Sequence, residues 1–311
     1  MKMNFIVFPG QGSQKIGMGK KLSENFPEAK NVFEEVNDAL NLNLTKIMWE
    51  GSDSEISLTS NAQPALMACG VAAFRVLSKL KDKNLKQLAD FTCGHSLGEY
   101  TAMTVAKVFS LKESAILLRL RGEAMQQAVP VGRGAMAALI GITINQTVEI
   151  IKKTKIHGIC DIGNDNSDGQ VVISGDAKVV ENAIEIAKQN GAKRAILLPV
   201  SAPFHCRLME PARVIMEEAL NNLKFEVPLI PVVSNITALA HTDPVVLKKN
   251  LIDQVTGTVR WRETMEFAKS QGVKKITELG SGKVLIGIAK RMLKDVANES
   301  FEDPEDFDVF Q

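Results

Sequence analysis

FTCGHSLGEY, residues 91–100, joins a short apolar run to a Gly-x-Ser-x-Gly turn and then to a segment of helical composition. Residues 88–93 predict a buried strand and residues 99–108 a helix, so the chain reverses sharply between them with Ser96 at the apex. Such an elbow needs small flanking residues, and Gly94 and Gly98 stand where that relief is required. The order strand, elbow, helix predicts an α/β protein with a parallel sheet whose carboxyl strand ends carry the chemistry. A glycine-bounded turn with an idle serine gives the same local pattern, so the rest of the chain has to decide between the two.

Upstream, residues 4–8 (NFIVF) predict a first strand that runs into PGQGSQ, a loop with exposed backbone N–H groups at the end of the sheet where ligands bind. It is not a phosphate loop: GxGxxG from Gly10 would need glycine where Lys15 stands, and no GK[ST] follows. The GSGK stretch at 280–283 fails too, because Val284 replaces Ser or Thr. Donors of the first loop suit an oxyanion instead.

Residues 24–40 and 63–80 read as helices, the second opening on Gln63-Pro64 with the proline in its first turn. Ser110 and Glu113 form a capping box for a helix through Gln127. On that helix Arg121 has Leu117 and Leu118 before it and Ala124 and Met125 after it, so all its face neighbours are apolar, whereas Arg119 has Glu123 as an i+4 partner. A guanidinium on a buried face keeps its charge and calls for an anion. A structural ion pair, or snorkelling of the head group to solvent, would answer the same need.

From residue 132 the rhythm becomes strand (135–140), helix (144–153), strand (156–162), strand (170–174), helix (177–190) and strand (195–200). That order, βαββαβ, is ferredoxin-like. A loop at 201–207, a helix at 208–223, strands at 230–234 and 275–279 and a helix at 284–296 then continue the larger sheet, which makes the small unit an insertion.

The 311 residues are 45% hydrophobic and 23% charged, ordinary for a globular protein. No apolar run reaches the roughly 18 residues of a membrane span, and Pro9 and Gly10 cut short the only apolar start that could open a signal peptide. The expectation is therefore a cytoplasmic protein that does not enter a membrane. Cys69, Cys93, Cys160 and Cys206 lack CxxC spacing, which speaks against zinc and disulfides and for reduced, buried thiols. The net charge of +1 hides six acids in residues 299–311, leaving 37 Lys and Arg against 30 acids in the remainder. A mildly basic body could attract an acidic partner, but charge alone favours the alternative, a solvated surface with a frayed acidic tail. Basic pairs such as Lys152 and Lys153 have no interleaved aromatics, so nucleic acid is not expected.

A serine nucleophile needs a base within hydrogen-bond reach. His95 adjoins Ser96 but projects differently on a sharp turn and reads as structural, and His157 and His241 lie in polar, exposed settings. His205, in SAPFHC just past a strand, is the strongest candidate by position. No third member is evident, because the loop acids Asp161, Asp165, Asp168 and Asp176 all fall in the small unit. A backbone or side-chain carbonyl is the remaining way to orient His205.

FPGQGSQ (8–14), QPAL (63–66), GHSLGEY (94–100), RGEAMQQAVP (121–130), NSDGQVVISG (166–175), SAPFHC (201–206) and QVTGTVRW (254–261) together resemble the malonyl-CoA:acyl-carrier-protein transacylases of fatty acid biosynthesis, across nearly the whole chain. The resemblance implies an α/β-hydrolase-like core, residues 1–131 and 199–311, with an inserted ferredoxin-like subdomain at 132–198. It implies Ser96 as nucleophile, His205 as base and the backbone carbonyl of Gln254 as its orienting partner. Backbone N–H groups of Gln11 and Leu97 would form the oxyanion hole, Arg121 would clamp a malonyl carboxylate, and Gln63, Asn166 and Phe204 would line the substrate. It further implies malonyl-CoA as donor, acidic holo acyl carrier protein as acceptor, no bound cofactor or metal, and a monomer. Asp165 and Asp168 stand where the family usually has an aromatic residue and a proline, and GSGK replaces the more usual GPGK.

Overall fold

A computed structural model describes residues 3–154, 157–200 and 202–310. Ten strands are present among them: β1 (Met3–Phe8), β2 (Phe91–Gly94), β3 (Gly134–Ile140), β4 (Cys160–Ser167), β5 (Gln170–Asp176), β6 (Arg194–Leu197), β7 (Val232–Val233), β8 (Ala240–His241), β9 (Val273–Leu279) and β10 (Ala297–Phe301). They form a six-stranded sheet in the order β10-β9-β1-β2-β7-β8 and a four-stranded sheet in the order β4-β5-β3-β6. The fold is α/β, with a largely parallel sheet and a separate antiparallel one of ferredoxin-like order.

In the large sheet all neighbours are parallel except β7 and β8. A strand in the middle of a parallel sheet is buried on both faces, which is why β1 can afford no polar residue after Asn4. Its alternate side chains feed two cores: Ile6 and Phe8 pack with the helices on one side, Phe5 and Val7 with Trp261, Met265 and Ile276 on the other. Register pairs Phe8 with Gly94, so β1 and β2 end together and deliver the Gln11 loop and Ser96 to one edge. β7 lies against the other side of β2 and releases Asn235 at the same edge.

In the small sheet every pairing is antiparallel. The helices Ile144–Lys152 and Ala177–Gln189 cover one face through Ile150, Val180 and Ile184 against Ala137, Leu139 and Ile173.

Several boundaries differ from expectation for identifiable reasons. The strand predicted at 88–93 starts at Phe91, because Asn84 and Gln87 form a capping box that holds Leu85–Leu88 as a helical turn. Pro27 splits the helix predicted at 24–40, leaving Phe26 extended between Lys20–Asn25 and Pro27–Leu40. The helix predicted from Gln63 runs from Thr59 to Lys81, so Pro64 lies inside it. Proline deprives the carbonyl four residues back of its donor, and Arg119 Nη1 supplies one to Ser60 O at 3.3 Å. The strand predicted at 156–162 begins at Cys160 and extends to Ser167, with Ile156 outside the described residues. Two register shifts interrupt its alternation, so its buried Asn164 and Asp165 do not follow a strand pattern in the sequence. The helix predicted at 208–223 starts with a 3-10 turn and runs Glu210–Asn221, and the last helix ends at Met292.

The acidic tail is the largest correction. Residues expected to fray form β10 on the sheet edge, paired with β9 over five positions, and then a 3-10 helix, Pro304–Phe310. Phe301 and Phe307 turn inward, their ring centroids 5.0 Å apart, and Phe307 lies 5.9 Å from Phe26. Counting acids missed the three phenylalanines spaced among them. Glu302, nearly buried, accepts from Ser281 Oγ at 2.9 Å and pairs with Lys15 at 3.0 Å, while Ser281 Oγ also lies 2.8 Å from Ser13 O. The tail is thereby tied to the loop that carries Gln11. Truncating Phe307 to alanine is expected to destabilise the fold by about 3–5 kcal/mol, the cost of emptying a buried aromatic site. An unchanged thermal midpoint would show the tail to be loosely attached.

No helix among the described residues is long and apolar enough to cross a membrane.

Candidate active site

Ser96 occupies φ 54°, ψ −111°, at the N-cap of the helix Leu97–Val105. A non-glycine residue there is strained by about 1–3 kcal/mol and persists only when its surroundings over-determine it. They do. A Cβ on Gly94 would lie 2.0 Å from Gly98 O, and one on Gly98 would lie 2.3 Å from Phe8 O. Asn235 braces the turn from β7, with Oδ1 accepting from Ser96 N at 2.7 Å and Nδ2 donating to Gly94 O at 2.7 Å. Leu97 is the first residue of its helix, so its N–H has no intrahelical acceptor.

Ser96 Oγ lies 2.7 Å from His205 Nε2, and His205 Nδ1 lies 2.9 Å from the backbone oxygen of Gln254. Gln254 is the last residue of the helix Pro244–Gln254, where carbonyls lack an intrahelical donor, so its oxygen is available. A carbonyl only accepts, which places the hydrogen on Nδ1 and leaves the Nε2 lone pair facing the serine hydroxyl. Asp161 pairs with Arg207, Asp165 with Arg262 and Asp176 with Arg133, and His205 bonds to Ser96 and Gln254 instead.

Burial, reinforced by the positive charge of Arg121, pushes the His205 pKa down to about 3. The imidazole is therefore neutral at ordinary pH and ready to accept a proton. The shift carries a stability consequence with a definite sign. The unfolded chain binds a proton near 6.5 and the folded chain only near 3, so the contribution of neutral His205 is complete above pH 6.5 and is lost as pH falls toward 3. A His205→Gln variant is expected to lose less thermal stability than the parent as pH drops below 6.5; parallel curves would mean that the folded imidazole already carries its proton.

Arg121 is 1% exposed on the helix Leu111–Gln127, whose capping box forms as expected. Nη1 donates to Gln63 Oε1 at 2.9 Å, and Nη2 donates to Gln254 Oε1 at 2.9 Å and to Ser96 Oγ at 3.2 Å. The Tyr100 ring lies beneath the guanidinium at 5.6 Å, and Nε has no partner. Among the described residues no carboxylate forms an ion pair with Arg121, whereas Arg119 pairs with Glu123 at 2.6 Å. The buried cation is held by neutral carbonyls and aimed at the serine.

A cleft of about 480 Å³ opens over these groups between the two sheets, lined by Gln11, Gln63, Ser96, Arg121, Phe204 and His205 among others. From the small sheet's side come Met136 and Asn164. Asn166 does not line it; its side chain bonds His95 Nε2 at 2.9 Å, and the ring of His95, 5.6 Å from that of Trp261, also borders the cleft. The sequence reading passed over two residues. Asn235 carries no signal in a polar loop, but Glu99, an acid on a helix whose every residue is buried, could have been noticed as Arg121 was.

A serine on a strained elbow beside a histidine and a buried guanidinium is an arrangement suited to acyl transfer through a serine ester. The Acyl transferase domain pattern matches residues 5–302, and the chain belongs to that family. It is 42% identical over 305 residues to the malonyl CoA-acyl carrier protein transacylase of Bacillus subtilis strain 168, covering 98% of this chain and 95% of that one. The crystal structure of an acyl-carrier-protein-S-malonyltransferase from Bartonella henselae superposes with a TM-score of 0.96 at 49% identity, covering 99% and 98% of the two chains. A malonyl-transacylase in complex with its type II PKS acyl-carrier protein gives 0.94 at 38% identity, covering 98% and 97%.

Proposed function

We propose that this chain moves the malonyl group of malonyl-CoA to the phosphopantetheine thiol of acyl carrier protein through a malonyl ester on Ser96, supplying fatty acid biosynthesis. The observation that carries it is Arg121: a buried guanidinium with no carboxylate in ion-pair contact among the described residues, within hydrogen-bond distance of the nucleophile itself. In the free site it donates to Ser96 Oγ. The malonyl carboxylate takes over those donors in a charge-assisted pair, which frees the hydroxyl for His205 and sets the thioester carbonyl beside it.

His205 removes the Ser96 proton as Oγ attacks the thioester carbonyl. Backbone N–H groups of Gln11 and Leu97 stabilise the oxyanion, each worth about 3 kcal/mol in the transition state. Collapse breaks the carbon–sulfur bond, and CoA leaves with the proton from His205. In the second half the carrier's thiol gives its proton to His205, attacks the ester carbonyl, and Ser96 recovers its proton as it departs. A thiol ionises about 7 pKa units more readily than water and is the better nucleophile, which favours the carrier's thiol over water as the group that takes the acyl from Ser96.

In the same reading Gln63 and Gln254 seat Arg121, Phe204 narrows the acyl pocket, and Asn166 acts at one remove through His95. The large sheet with residues 1–131 and 199–311 forms the catalytic subdomain and residues 132–198 the smaller one. The enzyme works in the cytoplasm as a monomer without a bound cofactor or metal, and its basic body meets an acidic carrier. Intact-mass measurement after mixing with malonyl-CoA alone should show one malonyl group that persists until a carrier thiol is added. Continuous CoA release with an unmodified protein mass would make it a hydrolase.

A further inference from the structure

Glu99 is a fully buried carboxylate one helical turn beyond the nucleophile. Its Oε2 accepts from Asn235 N at 3.0 Å and from Gln254 Nε2 at 2.7 Å, and among the described residues its Oε1 makes no well-formed hydrogen bond. The second Gln254 Nε2 hydrogen goes to the backbone oxygen of Ser96 at 3.0 Å. Two acceptors thus claim both hydrogens of the Gln254 amide, and together with the donor Arg121 Nη2 they decide which way the amide faces. Its oxygen is left pointing at Arg121 Nη2. A flipped amide would set N–H against N–H and push the guanidinium aside.

We propose that Glu99 is a positioning residue for donor selection: by fixing the orientation of the Gln254 amide, it holds Arg121 where an acyl carboxylate is read. The inference rests on the malonyl-transfer reading and adds to it the residue that sets the clamp's aim. Asn235 belongs to the same device, since its N–H is held by Glu99 while its side chain braces Ser96. Clamp and elbow are therefore referenced to one carboxyl oxygen. Burial pushes the Glu99 pKa up to about 7. Oε1 can take a proton without disturbing Oε2, so the orientation survives in both protonation states.

Two conservative variants separate reach from charge. Glu99→Gln keeps an accepting oxygen at the Oε2 position and drops the charge; Glu99→Asp keeps the charge and withdraws the acceptor by one methylene. With kcat/KM measured for malonyl-CoA and acetyl-CoA, Glu99→Gln should retain the wild-type preference within about threefold, and Glu99→Asp should lose about tenfold or more of it, mainly through KM for malonyl-CoA. A general loosening of the fold would lower both donors together and leave the ratio alone. In a Gln254→Leu background the Glu99 variants should no longer alter the ratio. Retained preference in Glu99→Asp, lost preference in Glu99→Gln, or additive effects in the Gln254→Leu background would each overturn the proposal; should Glu99→Asp not fold, the Glu99→Gln ratio decides. Failure of the underlying reading is distinguishable, because then the wild type itself would not transfer malonyl.

Discussion

Replacing Ser96 with alanine is expected to abolish the covalent malonyl-enzyme and to lower transfer to the carrier by on the order of 10⁴-fold or more, as when the nucleophile of a serine hydrolase is removed. The loss is large because His205 has nothing else to activate within reach: its Nε2 faces Ser96 Oγ at 2.7 Å and its Nδ1 is committed to Gln254. Binding should survive, since Arg121 keeps Gln63 and Gln254 as supports and is freed of one acceptor. Calorimetry with malonyl-CoA should therefore report binding to Ser96→Ala while mass spectrometry reports no adduct. An adduct on the variant would move the acylation site elsewhere.

Arg121→Ala is expected to separate donor choice from chemistry. A buried, charge-assisted contact costs about 2–5 kcal/mol when one partner is removed, which at about 1.4 kcal/mol per decade places the loss of malonyl transfer at roughly 30- to 4,000-fold. Acetyl transfer should change far less, because the Ser96 and His205 pair is left in place. Stability should move the other way from activity. Arg121 pays for its burial without a carboxylate in ion-pair contact among the described residues, so Arg121→Met, similar in length and apolar, should unfold at the same temperature as the parent or higher. Unchanged donor selectivity in Arg121→Ala would remove the clamp from the mechanism.

Much of this was legible in the sequence, and each gap has a physical reason. The elbow was visible because steric crowding leaves glycine as the residue that fits at 94 and 98. Arg121 announced its burial through apolar neighbours at helical spacing, and the βαββαβ order followed from alternating periods. The orienting contact on His205 was invisible to residue-level reading because any amino acid presents a backbone carbonyl; only the resemblance pointed to Gln254. Asn235 and Glu99 meet across 136 residues of chain, a distance no local pattern spans. The tail was misread because composition weighs six acids against no bases, while packing follows Phe301 and Phe307, which are buried.

The tie between the tail and the Gln11 loop also sets a clock. Ser281 and Ser13 are 268 residues apart, so at about 5–20 residues per second the ribosome finishes the loop's anchor roughly 15–50 s after the loop itself. Through that interval β1, an interior strand of the large sheet, has been made without β9 to cover its flank. The first strand synthesised waits longest for its second neighbour, and a chain that stops short of Glu302 loses the Lys15 ion pair and keeps the Ser281 contact on the Gln11 loop.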